Sequence, residues 1–391
     1  MTDAQLPAGR HALAALEEVV HGRPAAEALA EIAERRGARR AFVIASRTLR
    51  ETGEEIARIE AALGDRLAGV HAGVAPHVPR PDVMAAAAAA REAQADLIVA
   101  VGGGSVIDCA KIVPWVLSND MDDPKDLEAI RYGAAPEAPP APPVLRVIAA
   151  PTTLSGGEFN PLAGATDPAT GAKQGYLHRL LAPAAVVLDP ALTRRTPEWL
   201  FLSTGVRALD HAFETLQALR SNPVADGQAR LALGFLLEGL ARVQADGADL
   251  AARLACQMGV WQSMGPITAG VPMGASHAIG HVLGGLCGVP HGHTSCVMTP
   301  AVMRWNAEDP AVAARQQAIS AAFGAPDTPA AELADAFIRR LGQPRSLAEA
   351  GVGEDRFAEI AEHMARDIWG QTNPRPLRSA EDVMDILRLA A

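Results

Sequence analysis

The sequence predicts an α/β domain built on a parallel sheet, followed by an all-helical domain. Three observations carry that prediction. Short apolar runs recur up to about residue 190, several of them running into glycine, serine or threonine. The segments between them have helix-forming composition. From about Thr196 the strand-like runs nearly vanish and helical periodicity dominates. Strands alternating with helices imply an open parallel sheet with helices on both faces. The expected division is residues 1–190 for the α/β part and 191–391 for the helical part.

The elements follow in order. RAFVIA, 40–45, is an apolar run flanked by charge, as a strand buried on both faces requires. Leu67 to Val74 is a second strand. VMAAAAAAREAQAD is a helix, because alanine has the best helix propensity. LIVAVGGGS is a buried strand running straight into glycines, and VLRVIAAPTT (144–153) and AAVVLD (184–189) are further strands. AAPEAPPAPP, 134–143, is too proline-rich for any regular element except extended polyproline. PTTLSGGEFNPLAG reads as a polar loop and AKQGYLHR as polar surface. Gly156, Gly157, Phe159, Lys173 and Tyr176 in these stretches are candidates to line a cleft. TPEWL opens the first helix of the second domain, with Thr196 as N-cap and Pro197 in the first turn.

Charge and composition exclude some functions. The net charge is −10 and no long basic run occurs. That argues against nucleic acid or an anionic membrane as partner, since both reward clustered Lys and Arg. MTDAQLPAGRHALAALEEVV lacks a basic segment followed by an apolar core, so no secretory signal is expected, and no apolar run is long enough for a membrane span. The cysteines, Cys109, Cys256, Cys287 and Cys296, show no CxxC spacing and read as reduced thiols of a cytoplasmic protein.

Two loops point to a nucleotide. GGGSVIDCAKI, 102–112, joins a strand to a helix. Glycines let a backbone approach a phosphate, and the helix start offers free N–H groups and the positive end of a dipole. Gly102, Gly103, Gly104, Ser105 and Asp108 are therefore candidate cofactor residues, with a tight turn lacking any ligand as the alternative. Thr152, Thr153 and Ser155 follow another strand and could bond phosphate, ribose or nicotinamide. Ligands of open parallel sheets collect at the carboxyl ends of strands, so the two loops reinforce each other. The first half is thus read as a Rossmann-like, dinucleotide-binding domain. The first strand ends in Ser46-Arg47 without an acidic residue for a ribose, which leaves both NADH and NADPH open.

Histidines point to chemistry. GASHAIGHVLGGLCGVPHGH, 274–293, holds His277, His281, His291 and His293, four of the chain's eleven. His277 and His281 are four apart and share one face of a helix. STGVRALDHAFETL, 203–216, adds Arg207 and His211, also four apart. Asp210 lies three after Arg207, a spacing that allows a helix-surface ion pair.

GGGSVIDCAK, PTT…GGE, RALDHAFE, HAIGHVLGG and VPHGH, in this order, resemble the iron-containing (group III) alcohol dehydrogenase superfamily over nearly the whole chain. The resemblance implies the dehydroquinate synthase-like two-domain architecture, with cofactor and substrate in a cleft between the domains. It implies hydride transfer between NAD(P)H and a carbonyl or alcohol, and commonly a homodimer. The family's metal site uses one Asp and three His, which fall here on Arg207, His211, His277 and His291. His281 matches the position near the reacting oxygen. A guanidinium cannot ligate a divalent cation, and Asp210 sits about 100° further round the helix, so no metal is the favoured expectation. One branch, the maleylacetate reductases, also lacks that Asp, and is similar at HAGVAPHVP, 71–79, and in the HxxxHxLGG run. The expected activity is reduction of an unsaturated keto acid by NADH or NADPH without metal. His281 is the first candidate for the proton donor and His277 the second, and Arg207 serves as oxyanion or carboxylate partner. Three alternatives stay open: an iron- or zinc-dependent alcohol dehydrogenase, a non-catalytic nucleotide-binding protein on a degenerate scaffold, and a lyase or synthase on a related one.

Overall fold

The computed structural model describes residues 11–364 and 368–391. Eight strands occur among them: β1 (Glu18–His21), β2 (Ala41–Ala45), β3 (Leu67–Ala72), β4 (Leu97–Gly102), β5 (Val147–Pro151), β6 (Leu162–Thr166), β7 (Lys173–Leu177) and β8 (Ala185–Leu188). Six form one parallel sheet in the order β1-β8-β5-β4-β2-β3, while β6 and β7 make a separate antiparallel hairpin. The helices of this half are α1 (Ala25–Arg35), α2 (Arg47–Thr52), α3 (Glu55–Leu63), α4 (Arg80–Glu92) and α5 (Gly104–Ser118).

The four inner strands are buried along their whole length. Successive side chains point to opposite faces, so an unbroken apolar run feeds two cores at once. Phe42, Ile44, Ile98, Ala100, Val147 and Ala149 pack under α4 and α5. Val43, Val99, Val101, Ile148, Ala150 and Val187 pack on the other side, against α1 and α3. The edge strands β1 and β3 are only half-buried.

Several expectations need correction. β1 was not foreseen, because EVVH is too short and too charged to look like a strand. It exists by pairing with β8, Glu18 opposite Ala185. PTTLSGGEFNPLAG and AKQGYLHR are not simply loop and surface, since they supply β6 and β7. Tyr176 is fully buried under this hairpin, its hydroxyl accepting from Arg80 Nε at 3.1 Å, so it lines no cleft. Thr196 does not cap the first helix of the second half. Its hydroxyl instead donates to the carbonyl of Thr152 at 2.7 Å, and the helix begins after Pro197.

The second half holds α6 (Glu198–Gln217), α7 (Pro223–Ala245), α8 (Leu250–Thr268), α9 (Ala275–Cys287), α10 (His291–Asn306), α11 (Pro310–Ala322), α12 (Ala330–Arg340), α13 (Phe357–Met364), α14 (Ile368–Thr372) and α15 (Ala380–Leu389). α6 is its axis, buried without a break from Phe201 to Gln217. Its core is continuous with the sheet half: Leu154, Phe159, Val186 and Leu188 pack in one cluster with residues of α6, α7 and α8. Among the described residues no helix is long and apolar enough to cross a membrane.

Candidate active site

β4 ends in the glycine loop and β5 in the threonine loop. The two strands are neighbours, Gly102 opposite Pro151, so their carboxyl ends meet. A Cβ on Gly103 would lie 3.1 Å from Thr153 Cγ2, and one on Gly104 3.1 Å from Ser155 Oγ. Glycine is needed here for close approach of two loops rather than for a left-handed backbone. Gly103 is the N-cap of α5 and offers no side-chain cap, which leaves the first N–H groups of that helix for another acceptor. Thr153 Oγ1 and Ser155 Oγ lie 3.3 Å apart beside them. Ser46 stands at the end of the neighbouring β2, its N–H donating to Val101 O at 2.9 Å. Asp108, one turn into α5, accepts from the N–H of Gly164 on β6 at 3.2 Å and so faces the hairpin.

Beneath this rim lie charges that the sequence reading missed. Lys111 is fully buried and donates to the carbonyls of Gly157, at 2.8 Å, and Leu162. Glu158, 1% exposed, has one oxygen without a hydrogen-bond partner, and burial pushes its carboxyl up to about 7. The available signals were a lone lysine inside the apolar run CAKIVPWV and a lone glutamate between glycine and phenylalanine.

The histidine constellation assembles between α6, α9 and α10. His277 and His281 both lie on α9, and His291 opens α10. The rings of His211 and His277 stack at 4.7 Å between centroids, and those of His281 and His291 at 5.5 Å. His293 packs its ring 5.3 Å from that of Trp199. Arg207 is buried, and its Nη1 donates to Ser295 Oγ on α10 at 3.3 Å. Asp210 is also buried. Its Oδ2 accepts from Ser295 Oγ at 2.9 Å and Ser276 Oγ at 2.8 Å, so one serine bridges guanidinium and carboxylate. This pair is therefore not on a helix surface, and Asp210 is not turned away from the histidines: its Oδ2 lies 3.3 Å from His277 Nδ1. A helix buried on every side has no face that leads to water.

Glu214, one further turn along α6, accepts from the backbone N–H groups of Gly274 (2.8 Å), Ser276 (3.0 Å) and His277 (3.4 Å). It caps the start of α9 from another helix, and its Oε2 lies 2.9 Å from His277 Nδ1. That approach is off the line of a hydrogen bond, and both ring nitrogens of His277 lack a hydrogen-bond partner, as do His211 Nδ1 and Asp210 Oδ1. Burial raises the Glu214 carboxyl to about 7 against the pull of those N–H groups. Its signal in the sequence was spacing, three after His211 and four after Asp210.

Burial also sets the imidazoles. His277 is pushed down to about 3, first by desolvation and then by Arg207. His211, His281 and His291 fall well below their ordinary value, again by desolvation first, with Arg207 contributing to each. His281 behaves this way although the residue is exposed, because protein crowds its ring. An exposed imidazole titrates near neutrality, whereas these four are neutral there. Arg207, lowered to about 10 by burial, remains the permanent cation among them.

A profile of the iron-containing alcohol dehydrogenases matches residues 17–190, and one of the C-terminal part of the same family matches residues 201–391. The chain belongs to the iron-containing alcohol dehydrogenase family. It is an oxidoreductase of that family and is similar to its maleylacetate reductases. Maleylacetate reductase 2 of Cupriavidus pinatubonensis is 34% identical over 373 residues, 95% of this chain and 94% of that protein. A 4-hydroxybutyrate dehydrogenase of Cupriavidus necator is 35% identical over 312 residues, 76% and 79% of the two chains. The crystal structure of maleylacetate reductase from Agrobacterium tumefaciens superposes with a TM-score of 0.82 at 28% identity, covering 98% of both chains.

Members of this family typically use NAD(P)H, and the residues here fit such a cofactor. The Gly103–Gly104 approach, the uncapped start of α5 and the hydroxyls of Thr153 and Ser155 form a cradle that a side chain at either glycine would fill. The family's metal does not fit in the same way. The position that the resemblance gives to the first ligand holds the Arg207 guanidinium, whose charge acts on His211, His277, His281 and His291 and would repel a dication. Among the described residues the group whose donor atoms do converge, all within 4.8 Å, is Asp210, Glu214 and His277.

Proposed function

We propose that the protein reduces an unsaturated keto acid such as maleylacetate with NADH or NADPH, and does so without a metal. One observation carries this reading: a buried guanidinium stands where the family places a carboxylate ligand, among the four histidines. The names of two relatives, a maleylacetate reductase and a 4-hydroxybutyrate dehydrogenase, support an acidic substrate.

Gly102, Gly103, Gly104, Ser105, Thr152, Thr153 and Ser155 would hold the dinucleotide, with Ser46 near its adenosine end and Asp108 steadying the hairpin beside it. Bound there, the cofactor supplies a hydride. Arg207 places a fixed positive charge near the carbonyl oxygen, in a site that burial keeps at low dielectric. Its hydrogen bond through Ser295 to Asp210 holds it in place. The imidazoles are neutral at pH 7 and act first as N–H donors. Negative charge building on the oxygen raises the proton affinity of the nearest ring, and His281, which is exposed, takes up a proton from water and gives it to the reduced substrate. His277 is the second candidate, while His211 and His291 stack on this pair and fix its orientation.

The convergence of Asp210, Glu214 and His277 favours a second reading, a metal-dependent alcohol dehydrogenase with a displaced ligand set. Two carboxylates and an imidazole suit iron or zinc. The test is elemental analysis of protein purified with and without added iron or zinc, paired with NAD(P)H oxidation on maleylacetate. The favoured reading expects no stoichiometric metal and turnover that survives a chelator. About one metal per chain, with activity lost to the chelator, would replace it by the second.

A further inference from the structure

We propose that Ser46, Arg47 and His71 form a subsite for the 2′-phosphate of NADPH and so select it over NADH, a proposal that rests on the dinucleotide reading of the glycine loop. Where an open parallel sheet binds NADH, an acidic side chain at a strand end commonly holds the adenosine ribose, and an arginine there accommodates a 2′-phosphate instead. Here β2 runs into Ser46-Arg47, a hydroxyl and a guanidinium in place of an acid.

Sheet order decides which end of the dinucleotide reaches β2. The glycine loop follows β4, which lies between β5 and β2. The helical half joins on the β5 side, where Thr196 donates to Thr152 O and Thr204 accepts from the Leu154 N–H. A nicotinamide turned toward the histidines lies on that side, which sends the adenosine end toward β2 and β3. Ser46 stands just past the last β2–β4 pair, Ala45 with Val101, and its N–H donates to Val101 O beside Gly102 of the glycine loop.

Polar groups gather at this end of the sheet. The hydroxyl of Ser46 makes no capping hydrogen bond to α2, the helix it opens. Arg47 reaches across the end of β3, its Nη2 donating to Gly73 O at 3.4 Å. A Cβ on Gly73 would lie 3.8 Å from Arg47 Nη2 and 3.9 Å from His71 Nε2, so guanidinium and imidazole face one point. His71 sits on β3 opposite Ile44 of β2. Burial pushes its imidazole down, which makes it a neutral N–H donor at pH 7. Asp82, the acid whose charge opposes that shift, accepts from the Ala75 N–H at 2.7 Å. The guanidinium is uncommitted. On α2 and α3, Arg50 pairs with Glu60 and Arg58 with Glu54, whereas Arg47 has no acidic partner among the described residues, although Glu51 lies one turn along the helix. An exposed guanidinium without an acid offers its fork to a phosphate, and the serine hydroxyl and imidazole N–H add donors beside it.

Calorimetric titration of NADP⁺ and of NAD⁺ into the full chain tests the subsite. Wild type is expected to bind NADP⁺ at least about tenfold more tightly than NAD⁺. Arg47→Met should weaken NADP⁺ about tenfold to a hundredfold and leave NAD⁺ unchanged, as loss of a charge-assisted hydrogen bond to the extra phosphate does. His71→Asn should weaken NADP⁺ alone, by about fivefold. Ser46→Asp sets a carboxylate against the phosphate and should reverse the preference. Arg58→Met, which removes an exposed pair on α3, should change neither affinity. The subsite is overturned if wild type binds NAD⁺ as tightly as NADP⁺, or if Arg47→Met weakens both equally, which would give the arginine to the dinucleotide as a whole or to the fold. Equal binding of the two overturns the subsite and leaves the dinucleotide reading standing. If neither binds, that reading falls and the subsite with it.

Discussion

A guanidinium sealed among imidazoles changes what those imidazoles are. Each of the four histidines is held neutral by burial with Arg207 adding to the effect, so positive charge in the site comes from arginine rather than from protonated histidine. The buried acids titrate the other way. Glu158 has a folded value near 7 against about 4.5 for a free carboxyl. A raised acid stabilises the fold below its unfolded value, and that contribution is lost as pH rises through the folded one. Wild type should therefore lose stability relative to Glu158→Gln between pH 5 and pH 8, by about 2–3 kcal/mol. Urea midpoints of both proteins at the two pH values test this, and a constant difference would show that Glu158 does not titrate in that window. Arg207, the histidines and the glycine loop stood out in the sequence, because charged, imidazole and glycine residues cluster there against an apolar background. Glu158 and Lys111 were not, since a single charge in an apolar stretch does not say what it will face.

At the scale of the element, α6 both lines the site and starts the helix opposite. Glu214 gives α9 the acceptor that its own N-cap, Gly274, cannot provide. Glu214→Ala strands buried N–H groups and should cost about 2–3 kcal/mol. Glu214→Gln keeps a carbonyl oxygen in place and should recover most of that loss. Denaturant unfolding of the two variants reads the difference, and equal loss in both would mean that charge, not the acceptor, matters. The inner strands were legible because unbroken apolar runs have few alternatives. β1 and the β6–β7 hairpin were not, because weak, polar strands exist only through their pairing partners.

At the scale of the whole molecule, the sheet half and the helical half share a core. Leu154, Phe159, Val186 and Leu188 are packed by residues of α6, α7 and α8, while Thr196 and Thr204 hydrogen-bond to Thr152 O and the Leu154 N–H across the junction. A fragment ending at residue 190 would expose that apolar patch to water. It should show no cooperative thermal transition by circular dichroism, whereas the full chain should unfold in one. A cooperative transition in the fragment would mean that the sheet half folds on its own. The sequence by itself determined the order of α/β and helical parts, the family, the glycine loop between strand and helix and the histidines on α9, because local periodicity, glycine spacing and i,i+4 placement are properties of neighbouring residues. Only the tertiary structure decided that Asp210 faces His277, that Glu214 caps α9, and that the imidazoles are neutral. Those facts depend on residues far apart in the chain sharing a place from which water has been excluded or at which strands happen to pair, and no spacing along the chain encodes that distance.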